Sequence, residues 1–434
     1  MLNIQKKLTN SFYSILSLPS TAMGYALCIQ IAALSWILKT KYNLDIHEIG
    51  FVWAAGPVAG ILGQPLVGLI SDKVWFWGGR RRPFILIGGV LAALMLFALP
   101  NIDKINDFLG IGSIIVVAIF IALTLDIAIN VSFNPTRAII ADVTSDGVAR
   151  TKGYTWMQTI SGFFGVAAYG IGAALGNYFL IYSGVGIVLL FSVIPTFFIE
   201  EPHHLENESA DEIMKESKGH TNWRELVKLY IAHGFSWIGI QTMFVYIIAY
   251  ITQKIFLVQD ASQKLDSSIE TEVGQVIALS FLILNAVGFI LPALVLEPIT
   301  EKIGRVRTHL ICVGIMAAGY FGIVLLAKSA VMLYIMMAVC GIGWAAVVSL
   351  PFAIMSEKVD KGRMGFFMGI FNLSVVIPQL IASLVIGILI QSIPDKNFIF
   401  IISGVCLSIS AVLWLLVKES KTRISGKTYA STAH

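Results

Sequence analysis

Charge is scarce in this sequence. Of 434 residues, 13% are Asp, Glu, Lys or Arg, while 57% are hydrophobic; an ordinary soluble domain carries about 25% charge. A water-soluble globule of this length needs more polar residues to cover its surface, so a soluble enzyme or binding module is excluded. Cysteine is also sparse. Cys28, Cys312, Cys340 and Cys406 each fall in an apolar stretch, with no spacing suited to a metal site or a disulfide framework, and read as small buried hydrophobes. The net charge of +4 is too small to suggest a nucleic-acid partner. No Walker loop, nucleophile elbow or metal-ligating cluster occurs. An ATP-driven pump, an intramembrane enzyme and a bound metal or cofactor are therefore unsupported. Lys6 and Lys7 are followed by a run long enough to span, without a small-residue cleavage site, so no removable leader is read there.

What the sequence does have is long apolar runs. Twelve occur, at 18–38, 48–70, 84–100, 112–140, 152–175, 178–199, 226–252, 273–296, 308–327, 329–355, 364–391 and 398–417. Each matches the roughly 20 residues that a helix needs to cross a bilayer. None alternates as the strands of a membrane barrel would. The expected fold is an all-α integral membrane protein with twelve transmembrane helices. Lys and Arg set its orientation: with the N-terminus inside, inner segments hold 22 and outer ones 7. Both termini are thus expected on the cytoplasmic side.

The longest polar gap falls between the sixth and seventh runs. It divides the chain into a six-helix bundle over 1–199, a cytoplasmic linker over 200–224, a second bundle over 225–417 and a tail over 418–434. The sequon at Asn207 lies in that linker, on the side where glycosylation does not occur. The halves repeat one another. Asp72 and Arg80, Arg81 and Arg82 follow the second helix, as Glu301, Lys302 and Arg305 follow the eighth; Asp142 ends the fourth as Glu357 ends the tenth. Such duplication matches transporters of the major-facilitator kind, whose halves rock about a central site.

In the middle of the spans, charge occurs in the fourth helix alone: Asp126 near the centre and Arg137 toward the cytoplasmic end. A charged side chain at mid-membrane costs at least ~2.5–3.5 kcal/mol and usually faces a water-filled path. Asp126, Asn130, Asn134 and Arg137 are spaced by four, four and three residues, which puts them on one helical face. Asp126 and Arg137 lie roughly 16 Å apart along the axis, too far for a direct pair in an unbroken helix; Pro135 between them can kink it. The stripe suits a substrate path. A buried acid that loads a proton on one side and releases it on the other can couple solute movement to a proton gradient, worth ~2.3 kcal/mol per 100 mV. A sodium ion, helped by Thr124 and Asn130, is the alternative.

Motifs along nearly the whole chain resemble the plant sucrose–proton symporters and their animal and bacterial relatives, within the glycoside branch of the major facilitators. They include Trp53 to Pro57, Gln64 and Pro65, Asp72 with Gly79 to Pro83, Met23 to Leu27, Leu125 and Asp126 with Pro135 to Ala138, Gly341 to Ala345 with Ser349 to Ala353, and Asn372 with Pro378 and Gln379. The resemblance implies import of a disaccharide such as sucrose or maltose with a proton, Asp126 and Arg137 taking the places of the family's coupling acid and its arginine. Two departures stand out. Plant members carry acids at the end of helix seven, where this chain has Tyr246 to Tyr250, and His47 is displaced by one position from the plant histidine. The short loops and tails suit a bacterial inner membrane, and no partner beyond sugar, proton and bilayer is expected; the monomer is the working unit.

Further binding candidates are Gln158, Trp344, Asn372 and Gln379, beside Asp126, Asn130 and Arg137. Amides donate and accept at once, as hydroxyl recognition requires, though a mid-membrane amide can equally bridge two helices. Trp344 lies deep in helix ten, where a sugar face can stack. Asp72, Arg80, Arg81 and Arg82, on the cytoplasmic rim, are expected to gate. Gly56, Gly60 and Gly68 read as packing positions. Export of a drug or metabolite by proton antiport, and a sugar sensor without transport, are the competing readings. A sensor is expected to carry an added signalling domain, for which these tails read as too short, and a lone acid among amides is unlike a cation exporter.

Overall fold

A computed structural model describes residues 3–61, 74–144, 148–201, 222–258, 266–359 and 364–419. Among these, eleven helices are long and apolar enough to cross a membrane, and a shorter apolar helix runs from Ile46 to Ile61, where the described segment ends. We number the helices α1 (Asn10–Thr40), α2 (Ile46–Ile61), α3 (Arg82–Ala98), α4 (Ile114–Val143), α5 (Val148–Leu175), α6 (Asn177–Phe198), α7 (Trp223–Tyr250), α8 (Ser267–Leu291), α9 (Arg305–Leu326) and α10 (Ala330–Ser356). Next come α11, which runs from Met364–Leu380 through a π-turn at Ile381–Ile386 into Gly387–Ser392, and α12 (Asn397–Trp414). Within the described residues the apolar runs and the helices agree to within a few residues, except that α8 begins six residues before its run and α1 eight; the second run continues past Ile61, outside the described residues. The extra turns of α1 are amphipathic and start at Thr9, whose hydroxyl accepts from the Phe12 amide at 3.3 Å.

Local chemistry sets the ends. Asp45 and Glu48 form a capping box at the start of α2, and Asn222 and Ser329 cap α7 and α10 through their side chains, each satisfying an N–H that the first helical turn leaves free. One glycine, Gly176 at φ 85°, makes the whole turn between α5 and α6. Prolines 19, 135, 195, 351 and 378 sit inside helices without ending them, as neighbouring helices permit in membrane proteins. In particular, α4 continues through Pro135.

Packing shows where the molecule is closed. One continuous core takes residues from both sets of helices, including Ile29, Trp36 and Trp53 from the first set and Val245, Tyr250 and Phe281 from the second. Two further cores stay within one set each. Phe12, Leu16, Ile85, Ile139 and Ile199 pack together at one place; Leu226, Val306, Ile354, Phe367 and Trp414 pack at another. The shared core lies at the end of the bundle remote from the chain termini, and the separate cores at the end bearing them. The hydrogen bonds between the two sets gather at the remote end: Ser35 Oγ donates to the Val245 carbonyl at 2.8 Å, Trp36 Nε1 to the Glu270 carbonyl at 2.7 Å, and the Ile46 amide to Gln391 Oε1 at 3.1 Å. From there two seams run inward. Gly162, Gly170 and Gly172 of α5 meet Phe289, Leu282 and Ala278 of α8, and Gly50 and Gly60 of α2 meet Ser383 and Val376 of α11. Among the described residues, the hydrogen bonds between the two sets lie at the remote end and none lies toward the termini.

Candidate functional site

Asp126 sits halfway along α4, 6% exposed. Gln30 of α1 reaches it, Nε2 donating to Oδ2 at 3.0 Å. Gly56 of α2 lies against the same carboxylate: a Cβ at that position would stand 3.2 Å from Oδ2. Three helices of the first set thus converge on one acid, and among the described residues no cation pairs with it. An isolated carboxylate buried this way is costly to keep charged.

From Asp126 the predicted stripe continues down α4. Asn130 Nδ2 turns back to the Asp126 carbonyl at 2.8 Å. Arg137 is exposed, its guanidinium 4.3 Å from the centre of the Phe133 ring, a cation–π contact. Beside α4, α5 presents Thr155, Gln158 and Thr159, all exposed. These three polar groups lie within two turns of one another, near the start of α5. Arg137 and Gln158 are thus exposed polar residues displaced from Asp126 toward the terminus-bearing end. Tyr154 ties the two helices, its hydroxyl donating to the Arg137 carbonyl at 3.2 Å.

The second set supplies an aromatic and amide corner. Trp344 Nε1 donates to Asn285 Oδ1 at 3.1 Å, and Gln379 Nε2 to Gln241 Oε1 at 3.2 Å. Trp237 and Phe244 stand edge-on to Trp344, with ring centres 6.1 and 5.4 Å away. Trp344, Gln379, Asn285 and Trp237 are all partly exposed, so ring faces and amide edges remain available. Asn372 is partly exposed on α11. Gln30, Gln241 and Asn285 were not singled out from the sequence, although each is an amide within a span; a scan for buried amides, run like the scan for charge, finds them. Tyr246, standing where the plant relatives carry acids, is buried and gives its hydroxyl to the Ala382 and Ser383 carbonyls at 3.2 and 2.8 Å. Those carbonyls belong to the π-turn of α11, where the wider turn leaves acceptors free.

The terminus-bearing end is charged and duplicated. Glu201, just after α6, accepts from the amides of Arg80, Arg81 and Arg82 at 2.8, 2.8 and 2.7 Å, and Arg81 Nε pairs with Asp142 at 3.0 Å. In the second set, Glu419, just after α12, accepts from the amides of Arg305 and Val306 at 2.9 Å each, and Arg305 pairs with Glu357. A carboxylate at a helix N-terminus satisfies free N–H groups and meets the positive end of the helix dipole. The repeat seen at Asp142 and Glu357 is thus a repeat of contacts, and Glu201 and Glu419 complete it. Asp72, Gly68 and most of the linker lie outside the described residues.

Comparison with known proteins places this geometry. The family model "Major Facilitator Superfamily" matches residues 16–383 and 270–428. A general alpha-glucoside permease of Schizosaccharomyces pombe is 30% identical over 175 residues, 36% of this chain and 31% of that one. The sucrose transport protein SUT2 of Oryza sativa subsp. indica is 24% identical over 422 residues, 81% of this chain and 82% of that one. Among solved structures, the inward open xylose transporter XylE from E. coli superposes with a TM-score of 0.66 at 16% identity, over 95% of this chain and 97% of that one. The motif resemblance and these relatives point to the same branch. With its duplicated helices and contacts, and a family model matching most of its length, the chain belongs to the Major Facilitator Superfamily.

Proposed function

We propose that this protein imports a disaccharide such as sucrose or maltose together with a proton, by alternating access between two six-helix units over 1–199 and 225–417. The observation that carries the coupling is Asp126: a buried acid without a cation partner among the described residues, held by Gln30 against Gly56, at the head of a polar stripe that runs toward the terminus-bearing end. Relatives named for sucrose and alpha-glucosides support the substrate class. The corner of Trp344, Asn285, Gln241 and Gln379 offers what a sugar needs, a ring face for its apolar side and paired donors and acceptors for its hydroxyls. With both termini cytoplasmic, as the bias of Lys and Arg favours, this conformation opens inward. Arg80, Arg81 and Arg82 then belong to the gating machinery at the inner rim, and the monomer suffices as the working unit in a bacterial inner membrane.

The test is transport in proteoliposomes. A disaccharide panel should show counterflow, and a pH gradient with the acid side outside should drive accumulation that a protonophore abolishes. Accumulation that follows sodium and ignores pH would remove the proton from this reading; export of the sugar against a proton would reverse its direction.

A further inference from the structure

The second set holds a histidine that the transport reading leaves unused. His233 lies on α7, 2% exposed. Its Nε2 accepts from Trp237 Nε1 one turn later, at 2.9 Å. Its ring stacks on Phe371 of α11, centres 5.0 Å apart and planes within 16°. Accepting at Nε2 puts the ring proton on Nδ1, and Nδ1 is buried without a hydrogen-bond partner among the described residues. A buried N–H without an acceptor is costly. Packing against Phe371 alone would be served better by an apolar ring, which has no such donor. What the imidazole supplies, and Phe or Leu would not, is an acceptor for the indole of Trp237.

We propose that His233 is a positioning residue for sugar binding: as a neutral acceptor it fixes the rotamer of Trp237, and through Trp237 the edge-on contact with Trp344 that shapes the aromatic corner. This rests on the reading of that corner as the sugar site. The chain of contacts is continuous: Phe371 orients His233, His233 holds Trp237, Trp237 abuts Trp344, and Trp344 is pinned at its far edge by Asn285. Two side chains outside sugar reach thereby set two rings within it. A tryptophan freed from its acceptor can turn about χ1 and χ2, and the recognition surface loses its fixed shape before it loses any contact atom.

The experiment has two arms. In the first, purified protein with 15N-labelled indoles gives one N–H signal per tryptophan, and the Trp237 signal is identified by its disappearance in Trp237→Phe. His233→Phe should move that signal upfield and speed its exchange with solvent, while His233→Gln, whose amide oxygen can accept, should restore both. In the second arm, sugar uptake in proteoliposomes should show a KM raised about fivefold to tenfold in His233→Phe, the size expected for one hydrogen bond, with turnover within twofold. His233→Gln should return KM to within about twofold. In a Trp237→Phe background, His233→Phe should add nothing further. An unmoved indole signal in His233→Phe overturns the proposal, as does an equal KM effect with and without the Trp237 indole. So does a Trp237→Phe protein that keeps wild-type KM, a result that does not depend on His233→Phe folding. The first arm needs no sugar. If wild-type protein moves no disaccharide, the sugar reading fails by itself, and the indole signal still decides whether His233 holds Trp237.

Discussion

At the scale of single residues, the acid at position 126 was legible because it is the sole acid among mid-span residues, and the cost of burying charge makes such a residue conspicuous. Arg137 stood out for the same reason. The partners of Asp126 were not legible: an amide such as Gln30 carries no charge, and nothing in α1 or α4 alone says that they meet. The contacts give two predictions. Asp126→Asn is nearly isosteric and should abolish pH-gradient-driven accumulation while sugar-for-sugar exchange persists; wild-type accumulation in that variant would move the coupling elsewhere. Gly56→Val puts a branched side chain where even a Cβ stands 3.2 Å from Asp126 Oδ2. A displaced carboxylate loses its contact with Gln30, so driven uptake should fall by about tenfold, the worth of a charged hydrogen bond, with normal amounts of protein in the membrane. Uptake near wild type would mean that α2 is free to move away.

At the scale of elements, apolar runs located helices well because length and hydropathy are read over twenty residues at once. They located ends less well: α1 starts at Asn10, where polar and apolar residues mix. The pairing of helix ends was half legible. The recurrence of Asp142 at Glu357 showed that the halves repeat, whereas the caps by Glu201 and Glu419 come from beyond the sixth and twelfth spans, where sequence offers no pattern. The Arg81–Asp142 pair braces α3 against α4 with both side chains about nine-tenths buried. Removing one partner of such a pair leaves an uncompensated charge and costs about 3–5 kcal/mol. Arg81→Ala should therefore slow net transport strongly with little change in equilibrium sugar binding, and Arg81→Asp with Asp142→Arg should recover part of the rate. Binding lost in proportion to transport would place Arg81 in the sugar site.

At the scale of the whole molecule, no sequence feature said which end would be shut, because the same residues must build both ends of the cycle. The structure catches the remote end closed, with a shared core and three cross-bonds from Ser35, Trp36 and Gln391. Each such bond is worth about 1 kcal/mol net. Removing two of them, by Trp36→Phe with Gln391→Leu, should shift the population of remotely open molecules by roughly 30-fold. A cysteine placed at Ala278, fully buried in the seam, should then react with an impermeant maleimide added on that side, in a protein otherwise free of cysteine. Unchanged labelling would show that the shared core alone holds the seam.

Contacts between the sets and contacts within each half draw on different kinds of force. The remote seam uses backbone carbonyls, hydroxyl, indole and amide groups and apolar contacts, all uncharged. The terminus-bearing end is tied within each half by carboxylates and guanidinium groups. Added salt shortens the reach of Coulomb attraction from ~10 Å at 0.1 M to ~3 Å at 1 M and leaves neutral contacts almost untouched. Ionic strength thus separates two classes of contact: it softens the partly exposed ion pairs within each half, Lys41–Asp103 and Lys254–Asp395 at the remote end and Arg305–Glu357 at the other, while the neutral seam between the sets stays as tight as before.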